Sequence, residues 1–452
     1  MQEFRCSRGK HSHRLPHSSS GKLESENKNT GRRHALVVAY YFPPMGLSGV
    51  QRTAKLVKYL PEYGWDVTVL TVEVGAYFAF DDDLLKDVLG PGIEIIRTRT
   101  LDPTSRKTGR TLVPFPEEGR RRILSRLSQF FLLPDNKIGW KRYSVRAGIE
   151  VARTRKVDVV FASAPPYTAL LVGEAIASAV GIPLVLDYRD DWISNPRHTY
   201  STPVHLWKSR RLERRAVSTA CSILTINQTI ADLVQARHRH SDVRVIPQGF
   251  DPDDFGAGRQ DEGSSTTMTF LYTGMFYDAQ KPDTFLKALS ALYESSPEAK
   301  RIVRAKFIGL FSNRSETLVE ALGLSEHVEL VGYMNHADSL AALKQCDVAW
   351  MTIGHQQGAD MISTGKLFEY MGSRRPIMAL IPDGEAKSAL DPYGASFIAD
   401  PDDVGAVTEL MRHLLERWKE GTLPQGDNNY ISRYDRRLLA GQVSEVFKEA
   451  IT

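Results

Sequence analysis

Apolar positions along the chain fall into two alternating rhythms: short β-branched runs, and longer stretches in which apolar residues recur three and four positions apart. Residues 34–40 (HALVVAY) show the first and predict a strand; after a Gly/Pro-rich loop, Val50, Ala54, Leu56, Val57 and Leu60 mark one side of a helix. A turn at Gly64 leads to a second strand over 66–72. The unit is βαβ, and its loop lies at the carboxyl end of the first strand, where open α/β sheets bind ligands. Further strands are expected at 93–97, 157–162, 183–187, 222–226 and 243–246. After an acidic, Gly-rich stretch, DPDDFGAGRQDEGSSTT, the alternation restarts with strands at 268–273, 304–309, 328–331, 347–351 and 377–381. The expected fold class is α/β, with two Rossmann-like, doubly wound parallel-sheet lobes facing a cleft, one over 34–250 and one over 251–428. A final helix within 429–452 packs beside the second lobe or crosses back to the first.

Composition adds bounds. Of 452 residues, 42% are hydrophobic and 25% charged, enough for two full cores. A net charge of +4 gives no argument for a nucleic-acid partner. Cys6, Cys221 and Cys346 have neither CxxC nor metal spacing, which excludes a disulfide framework and suits a reducing compartment. Residues 1–33 lack periodicity and read as a disordered basic tail without an apolar core of signal-peptide length. The apolar segment 168–186 is broken by Glu174 and by Gly181-Ile182-Pro183, so it reads as helix, turn and strand rather than a membrane span. A cytoplasmic location is expected. Charge is concentrated locally: residues 105–146 hold eleven Lys or Arg against three acids, and RRRILSRLSQFFLL within them has the character of a basic amphipathic helix. Peripheral contact with an anionic membrane, at the inner face of the plasma membrane, is the expectation there; a buried helix with a basic outer face is the alternative.

Candidate chemistry centres on STGKLFEYMGSRRPIMA, residues 363–379. Ser363 and Thr364 are capping residues, Gly365 permits close approach, and a helix is expected from about Thr364. Its free amides and dipole favour an anion, to which Lys366 adds a full positive charge. Glu369 lies one turn deeper on the same face, where its carboxylate can accept hydrogen bonds from hydroxyl groups. Phosphate at the helix tip and sugar hydroxyls one turn down describe a nucleoside diphosphate. A surface Lys366–Glu369 ion pair is the plainer alternative.

The ordered motifs resemble the family-4 glycosyltransferases with the GT-B fold. They are YYFPPMGLSGVQR with its flanking strands, LLPDNKIGW, SAPPYTALLVGEAIASAVGIPLVLDYRDDW, VIPQGFDPDDF, YTGMFYDAQKPDTFLKAL and the Ser363 segment, and they span about residues 34–400. The resemblance implies a retaining, metal-independent glycosyltransferase with no cofactor, which moves a sugar from a nucleotide sugar, UDP- or GDP-linked, to a glycan or lipid-linked acceptor. It places the ribose on Glu369 and the diphosphate near Ser363, Thr364 and Lys366. Lys281, on the loop begun by Gly274, becomes the cation that stabilises the leaving diphosphate. Gly46 and Gly49 belong to the loop that closes over the donor. On the acceptor side it implies DYRDDW (Asp187, Arg189, Asp190, Trp192) with Ser163 and Pro165, Asp190 and Trp192 lining the cleft and Asp190 a candidate general base. Two departures stand out: many relatives have a second Glu where this chain has Met361, and a basic residue where it has Met275. The competing readings are a nucleotide-sugar epimerase of the same fold, for which no convincing set of acid/base residues is visible, and a nucleotide-binding protein without transferase activity. NAD binding is disfavoured because the first βα loop lacks GxGxxG.

Overall fold

The structure is a computed structural model that describes residues 31–102, 109–113, 128–195, 198, 200–239, 241–256, 266–276, 279–311 and 313–452. Most of the basic tail, residues 103–108 and 114–127 of the charged stretch, and 257–265 of the linker lie outside the described residues.

The first lobe is a parallel sheet ordered β4 (Ile93–Thr98), β2 (Trp65–Val72), β1 (Arg33–Val38), β6 (Val159–Ala164), β7 (Leu184–Tyr188), β8 (Ser222–Thr225), β9 (Val243–Val245). The second is a parallel sheet ordered β12 (Val328–Gly332), β11 (Val303–Ile308), β10 (Met268–Thr273), β13 (Val348–Thr352), β14 (Ile377–Leu380), β15 (Ser396–Ala399). Central strands such as β6 (VVFASA) are buried at every position, because helices cover both faces of each sheet and a parallel strand then reads as a continuous apolar run. Two features were not expected from the sequence. One is β15, a four-residue edge strand; the other is a separate two-stranded ladder of β3 (Ala76–Tyr77) and β5 (Thr111–Leu112).

The Ser48–Tyr59 helix carries the interlobe linker on its outer face. Lys55 is wholly buried, with Nζ 2.7 Å from Asp87, 2.6 Å from Asp251 and 2.9 Å from Asp254. Burial opposes its charge, yet these three carboxylates outweigh burial and raise its pKa. The Arg436–Ala450 helix packs on the first lobe: Leu439, Val443 and Phe447 enter its core, and Trp65 Nε1 donates to Ser444 Oγ at 2.9 Å. The chain therefore crosses between lobes twice, and the crossings pair, with Phe250 N donating to Tyr434 O and Arg436 N to Phe250 O, each at 3.0 Å. Gly249 is required at this junction, since a Cβ there would lie 2.2 Å from Tyr434 O.

Candidate functional site

The carboxyl ends of both sheets face each other across a cleft with about 900 Å³ of open space. Second-lobe residues Gly274, Gly309, Thr364, Lys366 and Glu369 line it, with Leu47, Gln51 and Asp81 from the first lobe opposite. Parallel strands deliver every one of their following loops to this edge, so the cleft is a consequence of topology.

The Gly365–Gly372 helix starts at the expected place, with Thr364 extended as its N-cap (φ −80°, ψ 150°). Thr364 does not cap with its side chain: Oγ1 is buried and has no hydrogen-bond partner. Leu367 N donates to the Thr364 carbonyl at 3.1 Å, and the start of the helix with this hydroxyl forms a corner of the cleft whose polarity suits an anion. Lys366 completes it. Its Nζ sits 3.7 Å from the centroid of the Tyr272 ring, and burial pushes its pKa down to about 7, against the opposing pull of Glu369. Gly274 (φ 121°) makes room for it, because a Cβ there would lie 3.0 Å from Lys366 Nζ. Gly309 is equally constrained, since its Cβ would meet Gly274 O at 1.7 Å.

Glu369, one turn deeper, is already engaged. His336 Nε2 lies 3.0 Å from its Oε1, Gln51 hydrogen-bonds to it, and Gln51 Oε1 accepts from Arg436 Nη2 at 3.2 Å. Burial pushes its carboxyl up, but His336, Arg436 and Gln51 outweigh burial and hold it below the usual carboxylate range. For His336, burial lowers and Glu369 raises, with a net increase in pKa. The His336 amide donates to Asp81 Oδ2 at 2.8 Å, which ties this cluster to the first lobe. Sequence reasoning missed His336, Gln51, Asp81 and Arg436. Only Asn335, which caps the His336–Gln345 helix, left a local signal, in the Asn-His-Ala-Asp pattern.

Other expected donor residues fall as follows. Ser363 is buried and receives a 3.1 Å hydrogen bond from Asn227 of the first lobe. Gly46 is buried opposite Tyr333, whose hydroxyl lies 2.7 Å from where a Cβ would be, so this loop meets the second lobe. Gly49 is exposed, with its carbonyl bound by Arg189. Lys281 is exposed and is not among the residues lining the cleft, although its neighbour Gln280 is. Met361, where relatives often carry Glu, packs against the first-lobe core. Arg374 and Arg375 serve the scaffold: the former donates to Gly426 O at 3.1 Å, the latter to Lys344 O.

Within DYRDDW the structure departs from expectation at Trp192. Asp187 is fully buried and bound by Arg52 Nη2 at 2.9 Å and by Ser163 Oγ at 2.7 Å. Arg52 also donates to the carbonyls of Ile246 and Pro247, so this pair secures the linker. Arg189 donates to the carbonyls of Ala164, Pro165 and Gly49. Trp192, expected to line the cleft, is wholly buried and stacked on Tyr167 at 4.9 Å between centroids, because the strand end folds back onto the core. Asp190 remains half-buried at the end of β7. Among the described residues, Asp87, Asp251 and Asp254 lie close enough to hold a metal, but the Lys55 ammonium fills that place. The other such group, His355, Asp400 and Asp402, is exposed.

Comparisons with known proteins agree with this architecture. Residues 48–249 match the model of the glycosyl transferase 4-like domain. No curated protein sequence matches the chain. Its structure is similar to sucrose-phosphate synthase from Thermosynechococcus elongatus, with a TM-score of 0.63 and 14% identity over 92% of this chain and 98% of that one. It is also similar to WaaG, a glycosyltransferase involved in lipopolysaccharide biosynthesis, with a TM-score of 0.55 and 14% identity over 92% of this chain and 99% of that one. A Listeria monocytogenes protein assigned as a UDP-N-acetylglucosamine 2-epimerase gives a TM-score of 0.56 and 12% identity over 92% and 96%. At such identities the likeness is one of fold. With two facing parallel-sheet lobes the chain has the GT-B fold, and residues 48–249, which make up most of its first lobe, match the glycosyl transferase 4-like domain.

Proposed function

We propose that the protein transfers a sugar from a UDP- or GDP-linked donor to a glycan or lipid-linked acceptor, in the assembly of a surface polysaccharide or glycolipid. The observation that carries this reading is the order of groups along one helix: Thr364 Oγ1 and Lys366 at its start, and the Glu369 carboxylate one turn deeper, all lining one cleft. A diphosphate sits at the helix tip, where the amides and Lys366 stabilise the negative charge that develops as the sugar leaves. The ribose hydroxyls donate to Glu369. The apolar groups of Leu310 and Met334, on the same wall, take the base.

Lys366 is the inner cation in this reading and Lys281 an outer one. Asp190 is the side chain offered as base; the donor diphosphate itself is the other acceptor for that proton. Retention of configuration and independence of metal and cofactor belong to the same proposal, tested by the anomeric form of the product and by activity in chelator. A lipid-linked acceptor puts the protein at the cytoplasmic side of a membrane, a reading supported by its likeness to WaaG. No helix among the described residues is long and apolar enough to cross one.

The test is thermal stabilisation by UDP, GDP, ADP and their sugars, in wild type and Glu369→Ala. Selective stabilisation by one nucleotide, lost in the variant, supports the reading; no stabilisation by any sinks it. One observation favours the epimerase reading: the structure joins His336, Glu369 and Lys366 in one cleft, an acid/base set not visible in the sequence. Incubating the protein with UDP-N-acetylglucosamine alone in D2O separates the two, since only an epimerase exchanges the sugar C2 proton without an acceptor.

A further inference from the structure

The Pro203–Thr219 helix, PVHLWKSRRLERRAVST, has an unusual charge distribution. Lys208, Arg210, Arg211 and Arg214 are all exposed, while its single acid, Glu213, is buried and bound by Arg237. Its outward stripe is therefore cationic with no exposed counter-charge of its own. At its N-terminal end the same stripe becomes apolar: Val204 is 56% and Trp207 57% exposed. Beside them Phe130 and Phe131 are 46% and 76% exposed, and Phe130 is held there by His205, ring to ring at 5.0 Å and through a 3.0 Å contact from Nε2 to the Phe130 carbonyl.

Topology fixes where this tip lies. The helix follows β7 and returns the chain to the start of the parallel strand β8, so its N-terminus is at the carboxyl edge of the sheet. That edge is the cleft edge, and Tyr200, just before the helix, donates to the Trp192 carbonyl of the loop that follows β7 at 3.1 Å. An aromatic tip at the carboxyl edge of the sheet with a cationic flank behind it matches the layering of a bilayer surface, apolar at the acyl boundary and anionic at the headgroups.

We infer that the first lobe docks on an anionic lipid surface through the Pro203–Thr219 helix and the Phe130–Phe131 tip, with the cleft mouth at the bilayer boundary. The occupant is a membrane rather than nucleic acid because side-by-side exposed Trp, Phe and Val groups demand an apolar phase, which a phosphate backbone does not supply. This inference rests on the transferase reading for its purpose, delivery of a lipid-linked acceptor, but not for its test, which needs no nucleotide sugar.

The experiment is co-sedimentation of the full chain with phosphatidylcholine vesicles, with and without phosphatidylglycerol, alongside quenching of tryptophan emission by brominated lipid. Trp207 is the exposed one of the six tryptophans, so quenching reports on this surface. Binding is expected only to vesicles with phosphatidylglycerol, with salt sensitivity and with quenching abolished in Trp207→Phe. Lys208→Glu/Arg211→Glu/Arg214→Glu is expected to release the protein by at least about tenfold. Lys287→Glu/Lys300→Glu/Arg301→Glu, the same charge change on exposed residues of the second lobe, is expected to leave binding as it was. All these positions are solvent-facing, and unchanged circular dichroism and melting temperature certify the fold of each variant. Equal release by both triple variants, no quenching at Trp207, or binding of polyanionic RNA with none to vesicles would each overturn the inference.

Discussion

Each lobe has a charged motif near the carboxyl edge of its sheet, and the two motifs are used in opposite ways. In the second lobe Thr364, Lys366 and Glu369 are half-buried along one helix and line the cleft, with a hydroxyl unpartnered and an ammonium whose pKa is depressed by burial. In the first lobe Asp187, Arg189 and Asp191 are buried, and each is bound by partners of the same lobe. A charged motif near a strand end can be spent on bracing its own lobe, or it can stay at the cleft, where Glu369 is held by His336 and Gln51 and Thr364 Oγ1 has no partner. DYRDDW builds the wall; TGKLFE faces across it.

That contrast can be broken most forcefully at Asp187. Asp187→Ala leaves the Arg52 guanidinium buried without its carboxylate, and a loss of about 3 to 5 kcal/mol is expected in chemical denaturation. Nucleotide affinity of the folded fraction should stay within about threefold, a shift comparable to surface-mutation noise; a larger loss would place Asp187 in the binding machinery after all. Glu369→Gln reverses the pattern. It removes a charge-assisted acceptor worth about 1.5 to 3 kcal/mol, so nucleotide affinity by calorimetry is expected to fall about 10- to 100-fold. Its unfolding free energy should change far less than that of the Asp187 variant.

Lys366 sharpens the comparison through pH. With its pKa pushed down to about 7 in the empty cleft, it is largely neutral above that pH, and a bound diphosphate restores the proton. Affinity for UDP or GDP is therefore expected to be flat below pH about 7 and to weaken by up to about tenfold per unit above it, with proton uptake measurable by titration in buffers of different ionisation enthalpy. Lys366→Met should abolish the slope.

The smallest effect is expected at His336. Its folded pKa is raised above the value of 6.5, so its contribution to stability is fully present below about 6.5 and is lost as pH rises through the folded value. Melting temperature of wild type relative to His336→Gln should accordingly decline from pH 6 to pH 8; a flat difference would remove His336 from the set that holds Glu369.

Much of this was legible in the chain itself. Strands such as VVFASA and IMAL announce themselves because a sheet covered on both faces tolerates only apolar residues, and the Thr364–Glu369 helix could be read because cap, cation and carboxylate are neighbours in sequence. What sequence could not supply is pairing at a distance. His336 reaches Glu369, and Arg436 reaches Gln51, only after both lobes have folded. The burial of Trp192 depends likewise on Tyr167, and the edge strand β15 is too short for its pattern to rise above that of a loop.

The returning helix also has a consequence for biosynthesis. Leu439, Val443 and Phe447 complete a core whose other members, among them Val37, Val69 and Phe161, lie in the first lobe. Chains emerging from the ribosome ordinarily fold their leading domain first. Here that domain waits with one flank of its sheet uncovered until the entire second lobe has been synthesised, so during translation the nascent first lobe presents Trp65 and Phe161 to whatever chaperone meets it.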